Sequence, residues 1–334
     1  MRIAAKIGLV LLILWALSRF ASIGVAEVHW VLSRPVLVIV AVLCVWISQL
    51  LGAYRFQIIL RRQAVFVDFL SVVMITCASL FSANVLLGTV AGDGIRYLLL
   101  SPRSEARSVA TLTAIALDRF LGLVGLLSIG LVALFFRLDL VLASDTLLRL
   151  ALVASALGLA TAGAGFIFFG GRAAPRAIAW IIGHIRPGRL ARIVAALGNS
   201  LTLIAKHPRS ALYAFALSIL ANLVPLIGFY ALAALMPQMT LSPLDFGFVL
   251  PTALLANALS ITPGGIGVGE GVFEFFAHIV SPHATISFAA LFFVYRLIGA
   301  AASLPGVIPL LLARRSPVRA AANRTVWDAR VKSP

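Results

Sequence analysis

Apolar runs long enough to cross a bilayer recur along this chain, centred on residues 7–23, 36–52, 110–136, 147–171, 211–236 and 287–313. About 17–25 apolar residues wound as a helix match a hydrocarbon layer ~30 Å thick. In lipid the backbone must satisfy its own hydrogen bonds, which leaves helices or closed barrels. Runs of this length suit helices, so the sequence predicts an all-α integral membrane protein. Composition agrees, with 62% hydrophobic and 11% charged residues, against roughly 25% charged in soluble domains. Two further apolar stretches, 65–90 and 245–280, are interrupted by glycine.

The formal charge of +16 raises nucleic acid as a partner, but its distribution argues against that. Basic residues gather on alternate sides of the runs: Arg2 and Lys6; Arg55, Arg61 and Arg62; the 172–210 loop with Arg172, Arg176, Arg186, Arg189, Arg192, Lys206 and Arg209; and the 314–334 tail. By the positive-inside rule these face the cytoplasm, so both termini are expected there. Few remain for the other side, namely Arg34, Arg137, Arg149 and Arg19, the last snorkelling at a helix end. The first run carries a "GVAE" stretch that reads either as a cleavage site or as part of a retained helix. The 172–210 loop has helical periodicity and reads equally as a surface-lying helix or a solvated connector. Cys44 and Cys77 sit in apolar runs, where a thiol packs as a small core residue. The His and Met residues show no ligand spacing, so no metal or other cofactor is expected.

Orientation leaves a puzzle. The chain is inside at Arg62 and outside by Asp139, yet this interval holds one clean run and one broken run. The reverse holds from residue 237 to Arg314. A re-entrant hairpin in each broken stretch resolves both intervals, and places Arg96, Arg103 and Arg107 inside. The two intervals also align without a gap at an offset of 177 residues. Asp68-Phe69 matches Asp245-Phe246, Gly88 matches Gly265, Gly92-Asp93-Gly94 matches Gly269-Glu270-Gly271, and Arg119 and Gly122 match Arg296 and Gly299. About six full transmembrane helices plus two re-entrant helical hairpins then form an inverted-topology repeat, with units near 36–136 and 211–313 joined by the 172–210 loop in one membrane domain, 1–313. Such repeats place a site near the midplane where they meet.

Non-helical backbone at membrane depth survives only when buried in protein or facing a watery cavity. "ITPGGIGVGEG" at 261–271 and "GTVAGDG" at 88–94 read as the hairpin tips. Gly88, Gly92, Gly94, Gly264, Gly265, Gly267, Gly269 and Gly271 supply reversal and close approach, and Pro263 stops a descending helix. Asp93 and Glu270 stand where a half-helix begins, either as caps or as groups that meet a transported species. Arg119 and Arg296 lie about ten residues into their spans, roughly 15 Å deep at ~1.5 Å per residue. Intramembrane arginine is costly and marks a candidate site. The alternatives are internal ion pairs, Arg119 with Asp93 or Asp118 and Arg296 with Glu270 or Glu274, or recognition of a phosphate-bearing head group. Glu274 lies one turn beyond Glu270, where mutual repulsion makes proton coupling conceivable. Asn84, Asn222 and Asn257 read as interhelical hydrogen-bonding groups or site residues, and Tyr97 and Tyr295 as packing or cavity lining.

"ITPGGIGVGEGVFEFF", "ANVLLGTVAGDGIRYLLL", "LDRFLGL" and "VYRLIGAAASLPG" together resemble the lysylphosphatidylglycerol synthase transmembrane-domain family. This is the flippase-like group similar to the membrane half of the multiple peptide resistance factor. The matching positions are Pro263, Gly264, Gly265, Gly267, Glu270, Asp118-Arg119 and Tyr295-Arg296. Leu86 or Leu87 stands where relatives often carry proline. The resemblance implies a lipid transporter of the bacterial inner membrane, with membrane lipids as partners. A separately encoded lipid-modifying enzyme and a second copy of the chain are further candidate partners. No soluble transferase domain is read from the sequence, so lipid lysylation by this polypeptide alone is not expected. A proton-coupled solute carrier, and a non-catalytic accessory subunit in envelope lipid or glycolipid synthesis, are the competing readings. No nucleophile–base pair or nucleotide-binding loop supports an enzyme. The arginines favour an anionic head group, while the carboxylates favour a cationic one.

Overall fold

The computed structural model describes residues 29–31, 33–85, 88–100, 105–143, 145–150, 152–153, 155–158, 208–236, 239–259 and 267–312. The first apolar run, most of the 172–210 loop, the tail and the tip residues Leu86, Leu87, Pro263, Gly264 and Gly265 lie outside them. The described residues are helical with no strand. In chain order the helices are α1 (Pro35–Arg62), α2 (Phe69–Val85), α3 (Gly88–Leu100), α4 (Glu105–Phe135), α5 (Leu138–Ala143), α6 (Pro208–Ala233), α7 (Pro243–Leu259), α8 (Val268–Val280), α9 (Phe288–Ser303) and α10 (Val307–Leu312), with a single 3₁₀ turn at Leu304–Gly306 between the last two. Among the described residues four stretches are long and apolar enough to cross a membrane: Pro35–Arg62, Arg107–Phe135, Arg209–Ala233 and Phe288–Leu311.

Local chemistry explains the boundaries. Pro35 starts α1, where its missing amide hydrogen costs nothing. Arg61 and Arg62 end it beside free carbonyls, where positive charge is favoured. Ala64 then adopts φ 55°, and Gln57 Nε2 donates to Val67 O at 3.0 Å, pinning the turn into α2. Asp68 caps α2 by accepting from Ser71 N at 2.9 Å. Although partial burial opposes it, that bonding holds the Asp68 carboxyl below its ordinary range. Arg137, just past α4, binds Asp245 in the first turn of α7 and donates to Ser242 Oγ. Val36, Ile39, Leu43, Ile47 and Leu50 form an exposed apolar stripe along α1, a face suited to lipid rather than water.

α2–α3 and α7–α8 are helical hairpins of matched arm length, 17 and 13 residues each. α1 and α6 pack along each other, α2 against α1 and α9, and α7 against α4. Each hairpin's long arm therefore rests on the final long helix of the other half. The core between α6, α7, α8 and α9 is aromatic, built on Phe229, Phe246, Phe273, Phe288 and Phe292.

Candidate functional site

Of the ion-pair partners left open by the sequence, Arg119 takes Asp93 and Arg296 takes Glu270. Arg119 Nε donates to Asp93 Oδ1 at 2.9 Å and Oδ2 at 3.0 Å. Arg296 Nη1 lies 3.1 Å from Glu270 Oε1 and 3.3 Å from Oε2. Each joins residues 26 apart in sequence, from the short arm of a hairpin to the following long helix. Their surroundings differ. The Arg119 and Asp93 side chains are 36% and 27% exposed, against 19% and 13% for Arg296 and Glu270.

Asp118 does not pair with Arg119. It sits 2% exposed between two other arginines, accepting from Arg55 Nε at 2.8 Å and Arg96 Nη1 at 2.7 Å. Arg55 Nη1 also donates to Ser218 Oγ on α6 at 2.9 Å, and the Arg96 guanidinium lies over the Phe56 ring, 4.9 Å from its centroid. Arg55 and Arg96 are expected from charge counting on the cytoplasmic surface; both are instead buried, at 8% exposure. α1 continues to residue 62, so Arg55 lies about 10 Å below the Arg61–Arg62 rim at ~1.5 Å per residue.

These groups line a cavity of about 520 Å³. Its described wall includes Arg55, Arg96, Arg119, Asp93 and Asp118, the polar residues Ser48, Gln49, Thr76 and Ser79, and Asn84, Asn222 and Asn257. Asn222 Nδ2 bonds Gly122 O at 3.1 Å across to α4 and Ser218 O at 2.8 Å. Asn257 Oδ1 accepts from Arg296 Nη1 at 3.4 Å, so Asn257 stands between the second ion pair and the cavity.

Several sequence expectations change at this point. Gly88, Gly92 and Gly94 lie within α3 and Gly269 and Gly271 within α8, not in the reversals. Gly92 and Gly269 serve close approach: a Cβ would lie 2.8 Å from Ser79 O in one case and 2.7 Å from the Phe292 ring in the other. Gly94 and Gly271 have open space. Gly267, with φ 87°, is the one described glycine in the left-handed region. Its amide donates to Glu270 Oε2 at 2.9 Å, which makes Glu270 a cap for α8 as well as a partner of Arg296. Asp93, six residues into α3, lies past the cap position. Glu274 does not share a site with Glu270. It accepts from Ala289 N at the start of α9 and lies 3.0 Å from His278 Nε2. Tyr295 is not among the cavity's described lining; it packs in the aromatic core, 4.7 Å from Phe229 centroid to centroid. Tyr97 packs against the core between α1, α2 and α4. Cys44 and Cys77 are free thiols. Among the described residues no cluster of His, Cys, Asp and Glu is arranged to hold a metal ion.

An all-helical bundle with four apolar helices of spanning length and an internal charged cavity defines a multi-pass membrane protein. A family model described as the lysylphosphatidylglycerol synthase TM region matches residues 3–309, and the chain belongs to that family. No curated protein matches the chain. The family places it among membrane proteins involved in lipid handling.

Proposed function

We propose that this chain translocates a polar-headed lipid between leaflets, holding the head group in the charged cavity between α1–α4, α6 and α7 while acyl chains stay in the bilayer. The observation that carries this reading is the cavity itself: about 520 Å³ of space walled by arginine, aspartate and asparagine inside a bundle whose outer face is apolar. Buried charge beside open space is expensive and marks a polar species' path. The hairpins fit the same reading. Arms of 17 and 13 residues extend about 25 and 20 Å at ~1.5 Å per residue, short of a ~30 Å hydrocarbon layer. We read them as re-entrant and the two halves as an inverted-topology repeat, supported by the paired arm lengths and the paired Arg–carboxylate bridges. The protein acts as a carrier without covalent chemistry, its lipid supplied by a separate enzyme, in the inner membrane with both termini cytoplasmic. The alternative of a proton-coupled solute carrier gains less support, because both carboxylates in the described cavity wall are engaged by arginine.

The test is leaflet transfer in reconstituted vesicles, read by loss of a fluorescent lipid analogue's signal to a membrane-impermeant quencher. The intact protein should make nearly the whole probe population quenchable. Arg119→Gln, which removes a charge-assisted pair on the cavity wall, should slow transfer about tenfold or more. Vesicles bearing the intact protein that behave like protein-free vesicles would end this reading.

A further inference from the structure

The cavity wall carries unequal charge. Among its described residues three arginines, Arg55, Arg96 and Arg119, face two aspartates, Asp93 and Asp118. One positive charge is therefore uncompensated in a low-dielectric interior, where isolated charge is strongly disfavoured. Two polar atoms of the same wall, Arg96 Nε and Thr76 Oγ1, are buried with no hydrogen-bond partner. Buried groups in that state call for a missing partner, an ion or water.

Among its described residues the second half holds no such cluster. At the offset of 177 residues, Arg55, Arg96 and Asp118 correspond to Leu232, Phe273 and Tyr295, and Thr76 and Ser79 to Ala253 and Ala256. Leu232 and Phe273 are fully buried and Tyr295 packs beside Phe229 and Phe292. Both halves keep an Arg–carboxylate bridge, but the charge cluster of Arg55, Arg96 and Asp118 is confined to the first half.

We infer that this cavity is a one-sided receptor for a singly charged oxyanion, a phosphodiester, held against the first hairpin by Arg96, Arg119 and Thr76. The inference rests on the head-group reading above and narrows its ligand to a monoanion. A net neutral or cationic head group would leave the surplus charge unmatched. Guanidinium donors suit phosphate oxygens in geometry as well as charge, and the hydroxyl of Thr76 adds a neutral donor.

Binding to the purified full-length protein tests it without any transfer step. The probes are a short-chain phosphatidylglycerol, inorganic phosphate near pH 6 where it is mainly singly charged, and an uncharged short-chain diacylglycerol. Asp93→Asn raises the surplus to two charges, whereas Arg119→Gln abolishes it. Both variants break the same ion pair, so a merely structural role moves them in one direction. The inference requires opposite directions: about tenfold tighter anion binding for Asp93→Asn and about tenfold weaker for Arg119→Gln. Competition by phosphatidylglycerol but not by phosphate identifies a lipid source, and equal competition identifies free phosphate. Affinities that shift the same way in both variants, that do not shift, or that match those for diacylglycerol overturn the inference. A protein that transfers lipid with such indifference sinks this inference alone, and one that binds as required yet transfers nothing sinks the transport reading alone.

Discussion

Asp118 is the residue on which the cavity's charge order depends. It holds two guanidinium groups from different helices, at 2.8 and 2.7 Å, and is itself almost wholly buried. Asp118→Asn keeps the shape but leaves Arg55 and Arg96 without their counter-charge. Breaking a buried pair in this way costs about 3–5 kcal/mol, so the variant should melt markedly lower in detergent; an unchanged melting temperature would refute the role. The sequence marked Arg119 and Arg296 and narrowed each to two carboxylate partners, because the arginines and acids recur at the same offset in both halves; the choice of Asp93 and Glu270 came from the fold. The Asp118 partners were not legible in the sequence. Charge counting treats an arginine near the end of an apolar run as an orientation signal, and nothing local distinguishes Arg55 from Arg61. Only the approach of α1, α3 and α4 brings Arg55 and Arg96 onto one carboxylate.

At the scale of the element, the glycines divide by what faces them. Gly92→Ala places a methyl group 2.8 Å from Ser79 O, and Gly269→Ala places one 2.7 Å from the buried Phe292 ring. Each should separate packed helices and destabilise by roughly 1–3 kcal/mol, the range for overpacking. Gly94→Ala and Gly271→Ala meet nothing within 4 Å. They should leave stability unchanged or raise it by up to about 1 kcal/mol through helix propensity. Thermal unfolding of the four variants checks the division; equal losses at all four positions would contradict it. The sequence marked both glycine clusters but read them as reversals, because glycine in an apolar run signals a break and a close approach equally well. The hairpins themselves were readable from the interruption of hydropathy, whereas the start of each return helix was not. α3 begins at Gly88 and α8 at Val268, three residues out of register with the offset.

Across the whole molecule, the topological reading makes a mapping prediction. In a background lacking Cys44 and Cys77, single cysteines at Ala64 and Arg107 should react with an impermeant reagent on one face of the membrane. Cysteines at Asp139, Thr240 and His283 should react on the other. Reaction of Asn84→Cys from the Asp139 face would convert the first hairpin into a complete crossing and end the re-entrant reading. The four apolar helices of spanning length and the family were readable in the sequence, since hydropathy and motif spacing are local properties. That Leu232, Phe273 and Tyr295, the second half's counterparts of the charge cluster, close into a packed core became visible only in the fold, because burial is set by which helices meet.

The crossing-over of the hairpins has a bearing on how the polypeptide is made. α2 rests on α9, and Gly306 in the 3₁₀ turn sits directly against the backbone of Cys77. The earliest hairpin to leave the ribosome thus finds its final seat only in a segment synthesised more than two hundred residues later. Until that later segment emerges, α2 lacks one of its packing faces, and the two halves cannot lock together.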